Sequence, residues 1–361
     1  MPERQSSVDR SRLMTMYAVG EASNRAQAAS GPAGASGARG GRAPVGAVRR
    51  FQHEALFYSG EDEFLAATVP LIAAALRQGQ PVLVAVAGGR IGLLREALAD
   101  RASSVDCVDM CALGRNPARM IPAWRQFLEQ RAPRGQPALG IGEPVWPGRS
   151  AAELTECERH ECLLNLAFAS DHRWRLLCTY DLDGLDRGVI EAARRSHPYV
   201  RTNGASSTSG SYRDAEGPRG VFAGELPGPP LFARQIAFSC EQLRDVRHLV
   251  AAHAADALLA PARCEELVLA VSEVAANSVR HGGGTGTLRV WQENETLLCE
   301  VRDGGRIRSP LAGRVTPRPD QLSGRGLWLA NQLCDLVQIR SDHAGTVVRL
   351  HMDLTASAVP T

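Results

Sequence analysis

The chain has 361 residues, 44% hydrophobic and 22% charged, with a formal net charge of +2; this suits two soluble globular domains and argues against direct binding to nucleic acid. It contains no lysine, which rules out a Gly-Lys-Ser/Thr phosphate loop, whose ammonium reaches the phosphates. Nine cysteines without CxxC pairs, no apolar run near the ~20 residues of a membrane helix and no signal-peptide core point to a reduced, cytoplasmic chain without membrane contact.

Residues 1–48 are rich in Ala, Gly, Ser and Arg. They cannot bury enough apolar surface to offset ordering and are expected to be a disordered arm. Residues 49–201 form the first expected domain. A helix is predicted over 61–78, with Phe64, Leu65, Val69, Leu71, Ile72 and Leu76 on one side and Gly79 closing it. The run 81–86 reads as a buried parallel strand. A helix over 91–99, a strand over 105–108, a helix over 120–130 and a strand over 174–179 continue the alternation, which predicts an α/β layered fold. Residues 202–230, rich in Ser, Gly and Pro, read as a flexible linker. In the second expected domain, 231–355, helices over 241–259 and 262–281 precede strands over 286–292 and 296–302, joined at Asn294-Glu295. A helix over 326–333 and strands over 336–341 and 346–353 follow. Helices ahead of a mostly antiparallel meander predict an α+β two-layer sandwich.

Glu273, Asn277 and His281 stand four residues apart, on one face of the second of these helices, beside the core-facing Leu267, Val271 and Val274. Alone, such a stripe is an ordinary solvated face, and His281 reads as a cation at a helix C-terminus. Two further motifs stand at the ends of expected elements. Arg302-Asp303-Gly304-Gly305 follows a strand, and Ser323-Gly324-Arg325-Gly326-Leu327 opens a helix, whose free N–H groups and positive end suit phosphate oxygens.

With Glu-x-x-x-Asn, Asp-x-Gly and Gly-x-Gly-Leu in that order, residues 231–354 resemble the GHKL (Bergerat) ATP-binding fold of gyrase-type ATPases, Hsp90 and histidine kinases. Within it they look most like the anti-sigma-factor serine/threonine kinases. The resemblance implies ATP and Mg²⁺ as cofactors, with Asn277 holding the metal and Glu273 as the general base. It implies that Asp303 accepts the adenine amino group, that Thr346 supports it across the sheet, and that Gly305 lets the base approach. Gly324, Gly326 and Leu327 match the lid that wraps the phosphates. Two departures stand out: Ile307 occupies the last position of the family's Asp-x-Gly-x-Gly, and the lid loop 308–322 is short and holds three prolines. A module that binds ATP and partners without catalysis is therefore the alternative. A histidine-kinase-like sensor is another, since Arg159-His160-Glu161 echoes an acceptor motif. There, however, Asn165 stands where the proline belongs, and His160 reads as a helix-surface residue.

Phe51-Gln-His-Glu-Ala-Leu-Phe-Tyr-Ser-Gly, Gly79-Gln-Pro-Val-Leu-Val-Ala-Val, Gly142-Glu143-Pro-Val-Trp and Cys178-Thr-Tyr-Asp181 are similar to the MEDS sensory domain, over 51–200. This implies a RecA-like α/β sheet without a phosphate loop that binds a small molecule. His53, Tyr58, Glu143, Trp146 and Asp181 are the candidate contacts, since they fall at strand ends or loops; Trp146, beside two prolines, reads rather as cover for the core. Cys157, His160 and Glu161 share a helical face but Cys162 does not, and no fourth ligand has a fixed spacing, so a buried-thiol helix is the preferred reading over zinc. Together these readings predict a cytoplasmic signalling regulator, a kinase controlled by a sensory domain. The resemblance implies an antagonist protein of the STAS type and a sigma factor as partners, and leaves a homodimer open.

Overall fold

Strand β1 (Gln52–Tyr58) is buried along most of its length and runs parallel between β5 (Trp174–Asp181) and β6 (Tyr199–Thr202). With β2 (Val82–Val86), β3 (Asp106–Asp109), β4 (Ala138–Gly142) and β7 (Ala205–Thr208), these strands make one seven-stranded sheet, ordered β3-β2-β4-β5-β1-β6-β7. Every pairing is parallel except the β6–β7 hairpin. Helices cover both faces, so alternate residues of one strand enter different cores. Val82, Val84 and Val86 meet helices α1 (Gly60–Arg77) and α2 (Gly88–Leu98); Leu83 and Ala85 meet α4 (Met120–Arg131) and α5 (Ala151–Ala167). The short α3 (Met110–Leu113) follows β3, and α6 (Arg187–Ser196) precedes β6. Gly140 is required in β4: a Cβ there would lie 2.8 Å from the Trp174 ring and 3.1 Å from that of Trp124. Helix α5 starts with a reciprocal cap between Ser150 and Glu153.

The second sheet is antiparallel throughout, ordered β11-β12-β10-β9-β8, from β8 (Arg234–Phe238), β9 (Gly286–Glu293), β10 (Thr296–Asp303), β11 (Leu336–Asp342) and β12 (Gly345–Asp353). Helices α7 (Leu243–Asp256) and α8 (Pro261–His281) pack on each other and on this sheet, and α9 (Arg325–Leu333) packs on α8. Along α8, Leu267, Ala270, Val271, Val274, Ala275 and Ser278 are buried, the three-and-four spacing of a core-facing stripe. Asn294 takes φ 51 in the β9–β10 turn, a conformation asparagine tolerates.

The structure, a computed structural model, describes residues 51–169, 173–202, 204–213, 222–318 and 324–355. The arm expected over 1–48 lies outside them. The described residues fall in one compact unit. Segment 202–230, expected to be a linker, contributes β7, an exposed edge strand held by backbone pairing to β6. No helix among the described residues is long and apolar enough to cross a membrane. The chain thus has a mixed α/β N-terminal part and a distinct α+β C-terminal part.

Candidate functional site

Glu273 and Asn277 are half-buried on α8, and the first turn of α9 lies against them. A Cβ at Gly326 would come 2.6 Å from Asn277 Nδ2 and 3.1 Å from Glu273 Oε2, so only glycine allows this approach. Gly324 caps α9 with φ 87, in the left-handed region, and supplies no side-chain acceptor for the first N–H groups. Leu327 follows, half-buried, beside Gly313.

One residue after Asn277, Ser278 Oγ donates to Asp303 Oδ2 at 2.6 Å; Asp303 Oδ1 accepts the Gly305 N–H at 2.7 Å. Helix α8 therefore fixes Asp303 with one residue and presents the Asn277 amide with the residue before it. Thr346 pairs with Asp303 across β10 and β12, donates to Gly305 O at 2.9 Å and shares a hydrogen bond with Ser341 Oγ at 2.8 Å. Ser341 Oγ accepts the N–H of Ile307 at 2.9 Å, so the loop after Asp303 is pinned on both sides. A Cβ at Gly305 would meet His281 O at 2.7 Å. His281 itself is exposed in the last turn of α8. A surface cleft of about 460 Å³ reaches Asp303 and Gly304 from the β8–β9 side, past Phe238, Gln242 and Gly286.

The N-terminal part grips the helix that carries Gly326. Arg119 donates to Asn331 O at 2.9 Å and to Cys334 O at 2.8 Å, and Asn116 Nδ2 donates to Asn331 O at 3.1 Å. These are carbonyls at the negative end of α9, where cations and donors are favourable. Glu156 on α5 pairs with Arg340 at 2.9 Å and Arg314 at 3.6 Å, the latter in the loop before α9.

Of the residues expected to contact a small molecule, Tyr58, Glu143 and Asp181 come together at the C-terminal ends of β1, β4 and β5. Arg90 joins them: it bonds Glu143, reaches Asp181 Oδ2 at 2.9 Å and lies 5.4 Å from the Tyr58 ring centre. Burial raises the Glu143 carboxyl above its ordinary value, against the Ala87 N–H and Arg90. The Tyr58 hydroxyl is buried without a partner. Trp146 packs against the Arg149 guanidinium, which lies 3.6 Å from its ring centre. His53 is apart from that cluster, near the start of β1, against Glu161, Cys178 and Asn165.

His160, expected on a helix surface, is 1% exposed, because α5 lays that face on the sheet; burial lowers its imidazole to about 3. It is closed to a phosphoryl donor. Burial pushes the Cys157 thiol up to about 12, and it bonds Pro144 O at 3.4 Å, in keeping with a buried-thiol helix. Sequence reasoning missed Ser278, Ser341, Arg90 and Arg119. The signal for Ser278 was a hydroxyl on the apolar stripe of α8.

The MEDS family model (MEthanogen/methylotroph, DcmR Sensory domain) matches residues 52–198, and that of the histidine kinase-like ATPase domain matches 236–352. Among solved structures, the chain is similar to the RsbU and RsbW domains of Rv1364c from Mycobacterium tuberculosis, at 19% identity over 35% of this chain and 34% of that one, with a TM-score of 0.27. The chain thus spans about a third of that structure's length. It is also similar to the Acinetobacter baumannii histidine kinase AdeS, at 11% identity over 35% of this chain and 70% of that one, TM-score 0.20. No curated protein matches the chain.

Proposed function

We propose that this chain, a MEDS sensory domain followed by a GHKL ATP-binding domain, is a serine/threonine protein kinase of the anti-sigma-factor type whose lid is held by the sensory domain. In this reading residues 49–201 are the sensory domain, on a RecA-like sheet without a phosphate loop. Residues 231–355 are the Bergerat sandwich, and 202–230 joins them. The observation that carries the reading is the meeting of Glu273 and Asn277 with Gly326, on the same helix that holds Asp303 through Ser278.

The residues fit Mg-ATP. Asn277 and Glu273 offer oxygen donors, which a hard cation prefers, and the uncapped start of α9 offers N–H groups to phosphate. Bound Mg-ATP would supply the phosphoryl group, with its charge neutralised by the metal. Asn277 would hold the metal through its side-chain oxygen. Glu273 would take the proton of an incoming Ser or Thr hydroxyl. Asp303 keeps lone pairs beyond those engaged by Ser278 and Gly305, and would accept from the adenine amino group with Thr346 beside it. Gly305 would leave room for the base, and the backbone at Gly324, Gly326 and Leu327 would line the phosphates. The protein substrate would be an antagonist of the STAS type, a sigma factor a second partner, the cytoplasm the location, and the Tyr58, Glu143 and Asp181 cluster the small-molecule site.

The test uses full-length protein, radiolabelled ATP, and STAS-domain proteins captured by this chain in a pull-down with ATP. Transfer to Ser or Thr is expected, and Glu273→Ala should lower it by ~100-fold or more while calorimetry still detects ATP. ATP binding without transfer by intact protein favours the non-catalytic binding module instead. No heat with millimolar ATP overturns both.

A further inference from the structure

Away from the lid, His53 of β1, Glu161 of α5, Cys178 of β5 and His197, just past α6, converge. All are buried, at 1%, 2%, 2% and 0% exposure. Their metal-ligating atoms lie within 4.8 Å of one another. His53 Nε2 is 3.1 Å from Glu161 Oε2 and 3.3 Å from Cys178 Sγ, and His197 Nε2 is 2.9 Å from the same carboxylate oxygen.

The surrounding hydrogen bonds decide which ring nitrogens face the centre. Asn165 Nδ2 donates to Ser196 O at 2.9 Å, which turns its Oδ1 towards His53 Nδ1 at 3.0 Å. That oxygen only accepts, so His53 Nδ1 carries the hydrogen. His197 Nδ1 lies 2.7 Å from Ala193 O, another pure acceptor, and carries its hydrogen too. With Nδ1 tied outward, each ring turns its Nε2 towards the Glu161 carboxylate. His197 Nε2 and Glu161 Oε1 are buried without a well-aligned hydrogen bond, His197 Nε2 meeting only the other carboxylate oxygen, at 2.9 Å, an arrangement that a cation at the centre would satisfy. Histidines tied by Nδ1 to an amide or carbonyl, with Nε2 converging, have the outer bonding of metal ligands.

We propose that His53, Glu161, Cys178 and His197 form a four-ligand site for a divalent transition cation, zinc by its donor set. Two imidazole nitrogens, a carboxylate oxygen and a thiolate suit a borderline ion and disfavour magnesium or calcium. Binding forms the metal–sulfur bond as the Cys178 thiol gives its proton to solvent. All four positions are filled by protein, so the site is closed, of the kind that ties elements together. It joins β1, β5, α5 and the segment after α6, independently of ATP.

The test takes full-length protein stripped with chelator and then given zinc or cobalt(II). Elemental analysis is expected to find a single zinc per chain retained after desalting, and cobalt to give ligand-field bands with a thiolate charge-transfer band in the near ultraviolet. Cys178→Ser should lose that band, and Asn165→Ala, which leaves all four ligands in place, should weaken zinc binding by ~10-fold or more. Failure to retain either metal overturns the proposal. So does a wild-type cobalt adduct without the thiolate band, whether or not the variants fold, and so does a thiolate band that survives in Cys178→Ser.

Discussion

At Gly326 a single hydrogen in place of a methyl lets α9 touch the two motif residues of α8. A Cβ there would sit 2.6 Å from Asn277 Nδ2, closer than real Cβ contacts come, so Gly326→Ala must swing the amide or push the helix start away. Either displaces the groups assigned to metal and phosphate. ATP affinity is expected to fall by ~10-fold or more, about 1.4 kcal/mol, with the chain still folded; calorimetry of the variant showing wild-type affinity would refute the arrangement. Which residues were legible follows from how each is held. Glu273 and Asn277 lie four apart on one helix, so their common face was readable from spacing alone. Ser278 was not, because a serine on an apolar stripe looks like filler until its acceptor, Asp303, is seen 25 residues on. The proposed metal ligands were the least legible. His53 and Glu161 are 108 residues apart and come from different elements, so no local spacing announces them. On α5 the pattern invited grouping Cys157 with His160, yet of that face only Glu161 enters the cluster.

Elements were legible where one period dominated. The Val82–Val86 run and the helices at Gly60–Arg77 and Pro261–His281 carry unbroken apolar patterns. Strand β1 does not, since it buries His53 and Glu54; Glu54 is affordable inside because Arg175 and Arg201 pair with it at 3.2 and 2.9 Å. Strand β4 carries no such run, because Gly140 and Gly142 stand in it and make room for Trp124 and Trp174. Strand β12 shows a similar tolerance with a measurable cost. His351 is half-buried there, beside Gln338 Oε1 at 3.0 Å, and desolvation, then Arg349, lowers its imidazole to about 4. The folded state therefore keeps it neutral in a range where the unfolded chain, titrating at about 6.5, binds a proton. Its contribution is present above that value and is lost as pH falls towards 4. Between about pH 7 and about pH 5 the second domain should lose ~2 kcal/mol of stability from this group. Urea unfolding followed at the two pH values measures it, and His351→Gln should narrow the difference by about that amount. An unchanged slope in that variant would remove His351 as the cause.

At the scale of the whole molecule, α9, the proposed lid, belongs to one part and its C-terminal anchorage to the other. Arg119 and Asn116 satisfy the carbonyls of Asn331 and Cys334, and Arg115 reaches Asp335 at 3.0 Å. Asp335 is also bonded by Arg263 of α8 and by the backbone of Asp353, so the anchor is continuous with the helix that carries Glu273. A second path runs through α5, which bears both Glu156, paired with Arg314 and Arg340, and Glu161 of the buried cluster. A shift of the first sheet's helices thus has two routes to the segments flanking Gly326. Arg119→Ala separates coupling from mere proximity. It leaves two helix-end carbonyls without their charged donor, a local cost of about 2 kcal/mol or more, on the element proposed to close over nucleotide. Hydrogen exchange should speed across 325–334 and ATP affinity should shift, while β1 and β5 keep their protection. Arg125→Ala is the control, because its bond to Ala167 O at 3.0 Å stays within the first part and should leave α9 untouched. If both variants exchange alike over α9, the sensory domain has no hold on the lid through Arg119.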